Sequence, residues 1–197
     1  CLYKKKNSII CLESTVYPGV SEDICVPIIE KRTKLKLNQD FYCGYSPERI
    51  NPGDEIHTLS KITKVISGSN DKSSKLINSI YSKVLNKNVY MAKNIQTAEM
   101  AKVFENIQRD VNIALVNELT IICSKLNLSV SEVLETANTK WNFLNFKPGL
   151  VGGHCIGVDP YYLLYLSKKI KYQPNLITSG RKLNDSMHKV LAKIFLE

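Results

Sequence analysis

Hydrophobic and polar positions follow two rhythms along this chain, and the change between them falls near residue 97. Ser8-Ile-Ile-Cys-Leu-Glu13 is a short apolar run of the kind that forms a buried parallel strand. It ends in Ser14-Thr15-Val-Tyr-Pro18-Gly19, a loop with hydroxyls at the strand's C-terminal end. Ser21 predicts the N-cap of a helix running to about Arg32. Phe41–Tyr45, Lys64–Ser67 and Asn88–Met91 read as three more strands. From Asp71 to about Leu85, apolar residues at 76, 77, 80, 84 and 85 give a helical stripe. Strands alternating with helices predict a parallel α/β sheet. Its ligands would lie beyond the strands' C-terminal ends, where Thr15 and Glu48 stand.

Beyond Thr97, read as a cap, no Gly or Pro occurs up to Lys125. That predicts one helix on the order of 40 Å long at 1.5 Å rise per residue. Met100, Val103, Phe104, Ile107, Val111, Ala114 and Leu115 form a broad apolar stripe. Lys102, Asn106 and Arg109 run along another face at i, i+4 and i+7, a spacing that a solvated face explains equally well. From Val111 to Cys123 apolar residues lie nearly all round, which predicts burial and is consistent with a subunit interface. Ser129 and Glu132 form a capping box for a shorter helix to about Asn138. A loop with Trp141, Phe143, Phe146 and Pro148 follows, its rings serving as pocket walls or as loop anchors. Two more helices are expected, from about Pro160 to Ile170 and from about Pro174 to the end.

Composition narrows the class. With 197 residues, 44% hydrophobic and 23% charged, the chain buries a real core, and no run of about 18 apolar residues offers a membrane span. The basic start, Cys1-Leu-Tyr-Lys-Lys-Lys, lacks a small-residue cleavage site and is a poor signal peptide. With no initiator Met and a C-terminus inside a helical pattern, the chain reads as cut at both ends. Six cysteines without a C-x-x-C pair read as reduced thiols, which places the protein in the cytoplasm. The three histidines are scattered, so no metal site is expected. A net charge of +9 favours an anionic partner, but the lysines form no stripe interleaved with aromatics, and no nucleic-acid partner is expected.

The densest chemistry lies in Val151-Gly-Gly-His-Cys-Ile-Gly-Val-Asp159, followed by Pro160-Tyr-Tyr. Glycines let a backbone approach a ligand closely. Cys155 would stand at the start of a turn or helix, where free N–H groups favour thiolate, with Asp159 one turn on. The plainer reading is a small buried cysteine after an ordinary turn. His154 beside Cys155 also suggests a cysteine hydrolase or acyltransferase, although adjacent residues usually point apart.

Four stretches together resemble the UDP-glucose/GDP-mannose dehydrogenase family of nucleotide-sugar 6-dehydrogenases. They are Glu13-Ser-Thr-Val-Tyr-Pro-Gly19, Tyr45-Ser-Pro-Glu-Arg-Ile-Asn-Pro-Gly-Asp54, Ala98-Glu-Met-Ala-Lys-Val-Phe-Glu-Asn-Ile-Gln-Arg109 with Asn117-Glu118, and Gly152-Gly-His-Cys-Ile-Gly-Val-Asp-Pro160. Their form, with Asn138-Thr-Lys-Trp-Asn-Phe-Leu144 and Gly180-Arg-Lys-Leu-Asn-Asp-Ser-Met187, is similar to the branch acting on UDP-N-acetylhexosamines for surface polysaccharides. The resemblance implies an α/β fold: residues 1–95 as the second half of a Rossmann-like NAD-binding domain, and 96–197 as an all-α central domain built on the long helix. The family's Gly-x-Gly-x-x-Gly turn and UDP-binding third domain have no counterpart in these residues.

The same resemblance implies NAD as cofactor, a UDP-N-acetylhexosamine as substrate, and a homodimer through the 97–125 helix. Cys155 takes the place of a nucleophile that traps the C6 aldehyde. Lys102 and Asn106 would face the developing oxyanion, and Asp159 would orient water or accept a proton. Glu48 and Thr15 would manage hydrolytic water and approach the nicotinamide; Lys102, Asn106, Gly152 and Phe143 would hold substrate. Two positions depart from the UDP-glucose enzymes: Pro52 replaces a second carboxylate, and Val158 replaces a lysine before Asp159. Both count against glucose as substrate. The competing reading is an inactive piece that serves only as a dimerising helical scaffold.

Overall fold

The computed structural model describes residues 7–50, 53, 55–56, 58, 60–85, 88–153 and 155–196. The readings placed on the basic N-terminus, Pro52, His154 and Glu197 lie outside these residues. The chain forms two compact units, Cys1–Val103 and Phe104–Glu197, with the division inside the longest helix.

The first unit carries a four-stranded sheet of β1 (Ser8–Leu12), β2 (Phe41–Tyr45), β3 (Lys64–Gly68) and β4 (Val89–Met91), in that spatial order. β1 and β2 pair in parallel, as do β3 and β4, across α1 (Val26–Thr33) and α2 (Asp71–Val84) respectively. β2 and β3 pair antiparallel, contrary to the all-parallel expectation. The reason lies in the connection, which carries no helix among the described residues between 46 and 63. Without a crossover element, a chain returning to the neighbouring position reverses direction.

Every residue of β2 is buried, so it reads as a central strand rather than an alternating one. Gly44 is the point of closest approach, because a Cβ there would stand 2.2 Å from Ile77 Cδ1 on α2. Val26, Phe41, Cys43, Tyr45, Ala92, Ile95 and Ala98 form the core cluster. Asn70 begins α2 in a reciprocal capping box with Ser73. Ser21 does not cap a helix as expected. It sits inside a π-helical turn, Val20–Cys25, with Gly19 at the cap. The capping work is done from a distance: Glu99 accepts the N–H groups of Gly19 at 2.7 Å and Ser21 at 2.9 Å.

α3 (Ile95–Leu126) begins before Thr97, because Asn94 Oδ1 accepts the Thr97 N–H at 2.7 Å. The second unit combines the later part of α3 with α4 (Val130–Ala137), α5 (Asp159–Lys169) and α6 (Asn175–Leu196). Ser129 caps α4 by accepting the Glu132 N–H. Burial of α3 from Val111 to Cys123 is one-sided rather than complete. Ala114, Val116, Asn117 and Cys123 are buried, whereas Leu115 and Ile122 are exposed, since this unit covers only one face of the helix. Among the described residues no helix is long and apolar enough to cross a membrane.

Candidate functional site

In the helical unit, Cys155 is an exposed free thiol in the turn before α5. Its carbonyl accepts the N–H groups of Val158 at 3.3 Å and Asp159 at 3.0 Å. The helix proper thus starts at Asp159, and Cys155 precedes it by one turn instead of opening it. Asp159 is almost fully buried, and Asn106 Nδ2 donates to its Oδ2 at 2.5 Å. Asn106 and Asp159, singled out separately in the sequence, therefore meet. That N–H of Asn106 is engaged by a carboxylate, which leaves at most the other for an oxyanion.

The loop before Cys155 is open. Gly152 is exposed with free space where a Cβ would stand, and Gly153 adopts φ +81°, a conformation that side chains disfavour. Phe143 is half-buried and donates its N–H to the Lys140 carbonyl.

Six residues unremarked as site candidates complete this region. Asp110, Asn117, Arg181 and Asn184 are all buried. Arg181 Nη1 donates to Asp110 Oδ1 at 2.5 Å, and its Nη2 meets Asp185, which also accepts the Tyr161 hydroxyl. Asn184 Nδ2 donates to the carbonyl and to Oδ1 of Asp110. Burial works against the Arg181 charge, but Asp110 and the bonds to Asp185 and Tyr161 outweigh it and hold the guanidinium charged. The sequence signals for this network are Asn117, the lone amide between 113 and 123, and the Gly180–Met187 stretch, which enters the family resemblance without marking a site.

In the α/β unit, Thr15 is half-buried in the loop after β1, and Glu48 follows β2. The two exit loops run side by side, since the Glu48 N–H donates to the Glu13 carbonyl and that of Ser46 to Leu12. The Glu48 carboxylate accepts the N–H groups of Arg49 and Ile50 at 2.7 and 2.8 Å and lies 3.7 Å from Lys64 Nζ. Partial burial pushes its carboxyl up. The two N–H bonds and the charges of Lys64 and Lys102 outweigh that and hold it below the usual range. Lys102 thus sits near enough to Glu48 to bias its charge. Lys64 is itself 3% exposed and is flanked also by Glu13 and the Tyr81 ring. Sequence reasoning missed Lys64, Tyr81 and Glu99, because a strand lysine and a helical glutamate look like solvated surface.

For a dinucleotide, the residues present fit one end. Thr15 and Glu48 lie past the strands' C-terminal ends, where such sheets take ligands. The N–H groups of Gly19 and Ser21, a natural phosphate seat, are already occupied by Glu99. No group of three His, Cys, Asp or Glu among the described residues has the makings of a metal site.

Comparison with known proteins agrees with these features. Residues 2–85 match the NAD binding domain of the UDP-glucose/GDP-mannose dehydrogenase family, and residues 96–186 match its central domain. Protein CapL of Staphylococcus aureus is 54% identical over 94% of this chain and 44% of its own length. The UDP-N-acetyl-D-glucosamine 6-dehydrogenase of Salmonella typhi is 55% identical over 92% of this chain and 43% of its own. The solved UDP-D-ManNAc dehydrogenase of Pyrococcus horikoshii superposes with a TM-score of 0.87 at 33% identity, over 98% of this chain and 45% of that one. The chain spans less than half the length of these relatives. With both of its matched regions in the family's order, the chain belongs to the UDP-glucose/GDP-mannose dehydrogenase family.

Proposed function

We propose that this chain is the thiol-bearing part of a cytoplasmic, homodimeric NAD-dependent 6-dehydrogenase that oxidises a UDP-N-acetylhexosamine to its uronic acid for polysaccharide synthesis. The observation that carries the reading is the exposed Cys155 one turn ahead of a buried Asp159 that Asn106 holds at 2.5 Å. The similarity to dehydrogenases of UDP-N-acetyl-D-glucosamine and UDP-D-ManNAc supports the substrate class. The apolar faces that α3 leaves exposed at Leu115 and Ile122 support the dimer.

NAD, when bound, supplies the hydride acceptor. The chain's own residues handle the carbon and the protons. Cys155 Sγ adds to the C6 aldehyde and forms a C–S bond, giving a thiohemiacetal whose oxygen carries the proton. Once that carbon is oxidised to the thioester, water attacks it, the C–S bond breaks, and the thiol is released. Asp159, fixed by Asn106, is the carboxylate for orienting that water or taking its proton. Lys102 supplies positive charge where the oxyanion develops. Glu48, held ionised, and Thr15 serve the nicotinamide side and the water; Gly152 and Phe143 border the sugar.

The test is a chimaera in which residues 7–196 replace the matching segment of a full-length relative. UDP-N-acetylglucosamine should be oxidised with two reduced cofactors formed per uronic acid. One reduced cofactor per sugar, or oxidation of UDP-glucose in preference, would contradict the reading.

A further inference from the structure

We infer that Asn117 is a positioning residue. Backed by Asn184, it clamps the loop that leads into Cys155 and so fixes where the thiol stands. The inference rests on the reading of Cys155 as nucleophile.

Asn117 is fully buried on α3, on the face that also buries Ala114. Burying an amide there costs about 1–3 kcal/mol unless it is bonded, so packing alone would favour an aliphatic residue. Its bonds go to one place. Oδ1 accepts the Gly149 N–H at 2.9 Å, and Nδ2 donates to the Gly149 carbonyl at 3.0 Å. This is the two-way pairing that one peptide group gives another in a sheet, supplied here by a side chain. The second Nδ2 hydrogen goes to Asn184 Oδ1 at 2.9 Å.

The polarity of the chain of amides is set by a carboxylate. Asp110 Oδ1, bound by Arg181, can only accept, so Asn184 must turn its Nδ2 toward it. Asn184 Oδ1 then faces Asn117 and selects the Nδ2 of that amide. Asn117 Oδ1 is left for the Gly149 N–H, and neither amide can flip without losing several bonds. Asn184 therefore holds Asn117 in the one orientation that grips Gly149 in both directions.

The loop has a second anchor. Asn106 ties Asp159 to the same helix, eleven residues before Asn117. Eleven residues are three helical turns, so the two amides share a face of α3 about 16 Å apart along it. Gly149 lies six residues before Cys155, and Asp159 four after. Between the anchors, Gly152 has no neighbour where a Cβ would stand, and neither has Gly153. The ends, rather than packing of the middle, hold this segment to one rigid rod.

The test uses amide hydrogen exchange on the 197-residue chain with three substitutions. Asn117→Ala removes the whole clamp. Gly149→Pro removes only its N–H limb and leaves Asn117 in place. Gly149→Ala keeps both limbs, and its Cβ meets open space. Each lost bond is worth about 1 kcal/mol, so exchange over 149–159, where Gly149, Val158 and Asp159 carry bonded N–H groups, should quicken about thirtyfold in Asn117→Ala and about fivefold in Gly149→Pro. The α4 amides and Gly149→Ala should match the unsubstituted chain. A rise spread equally over α4 would make Asn117 a general stability residue and overturn the proposal. Unchanged exchange over 149–159 in folded variants would also overturn it. If Asn117→Ala does not fold, Gly149→Pro decides alone. The same substitutions in the chimaera should lower kcat about tenfold and leave KM within about twofold. Loosened exchange with unaltered kcat would overturn the positioning role. An inactive unsubstituted chimaera would instead count against the function proposed above, and exchange would still decide the clamp.

Discussion

In the α/β unit the largest fully buried side chains are Tyr45, Phe41, Ile66, Ile77 and Leu85, whereas in the helical unit they are Met187, Asn117 and Asp110. The first interior gains its stability from apolar area removed from water and tolerates loops that merely leave the strand ends. The second is ordered by directional bonds among Asp110, Arg181, Asn184 and Asn117, each of which fails if one partner is lost. The difference matches what each unit has to hold. A sheet fixes Thr15 and Glu48 through its own ladder. The Cys155 loop has no ladder, and side chains must pin it. Glu99 is the exception that follows the same logic, a buried carboxylate of α3 that fastens the irregular turn at Gly19 and Ser21.

The largest expected break of this contrast is Arg181→Ala. It strands the Asp110 carboxylate and should cost about 3–5 kcal/mol in denaturant unfolding. Replacing the pair together, Asp110→Leu with Arg181→Met, should recover most of that loss, because a buried ion pair is stabilising mainly relative to its own half. Recovery of nothing would mean that the network's amides depend on Asp110 more than on its charge balance.

In the chimaera, Lys102→Ala should raise the barrier by about 2.7–4 kcal/mol, a hundredfold or more in turnover, as for loss of one oxyanion partner. Near-normal turnover with intact folding would return Lys102 to a solvated helix face. Glu99→Gln keeps one acceptor for two N–H groups, so thermal melts should show a loss of about 1–3 kcal/mol. An unaltered melt would mean that water replaces the lost oxygen.

The thiols sharpen the comparison with a smaller effect. Burial pushes Cys43 up to about 12, helped by the neighbouring charge of Glu22, so below that pH it stays a thiol. Cys155 is exposed. Mass-spectrometric mapping after iodoacetamide at mildly alkaline pH should find Cys155 alkylated and Cys43 untouched in the native chain. Glu48 gives the matching prediction for acid. Its carboxyl is held below the ordinary range, so its contribution to stability is present above that range and fades as pH falls through the lowered value. Glu48→Gln should remove that slope from the acid side of a stability profile.

Much of this fold was legible in residue periodicity. The β2 run Phe41–Tyr45, the helix at α2 and the unbroken α3 all carry local signals that the structure repeats, although of the α2 stripe only Ile77 and Leu85 are buried while Leu76, Ile80 and Val84 are exposed. What escaped was non-local. Ser21 looks like a cap in sequence, and only a carboxylate nearly eighty residues away makes it something else. The antiparallel turn of β3 goes with a connection that carries no helix among its described residues. Exposure of Leu115 and Ile122 depends on how many neighbours α3 has, which composition does not state. Among the site residues, glycine spacing marks Cys155 and Asp159, whereas nothing local marks Asn117 and Asn184 as site residues, because a helical amide looks like a solvated side chain until its partners are known.

The most direct measurement is rapid quenching of the chimaera during turnover of UDP-N-acetylglucosamine, followed by peptide mass spectrometry. The account predicts that the peptide carrying Cys155 bears the uronyl group as a thioester, and that Cys155→Ser yields neither adduct nor acid. Full acid production by Cys155→Ser, or an adduct on a different cysteine, would contradict it.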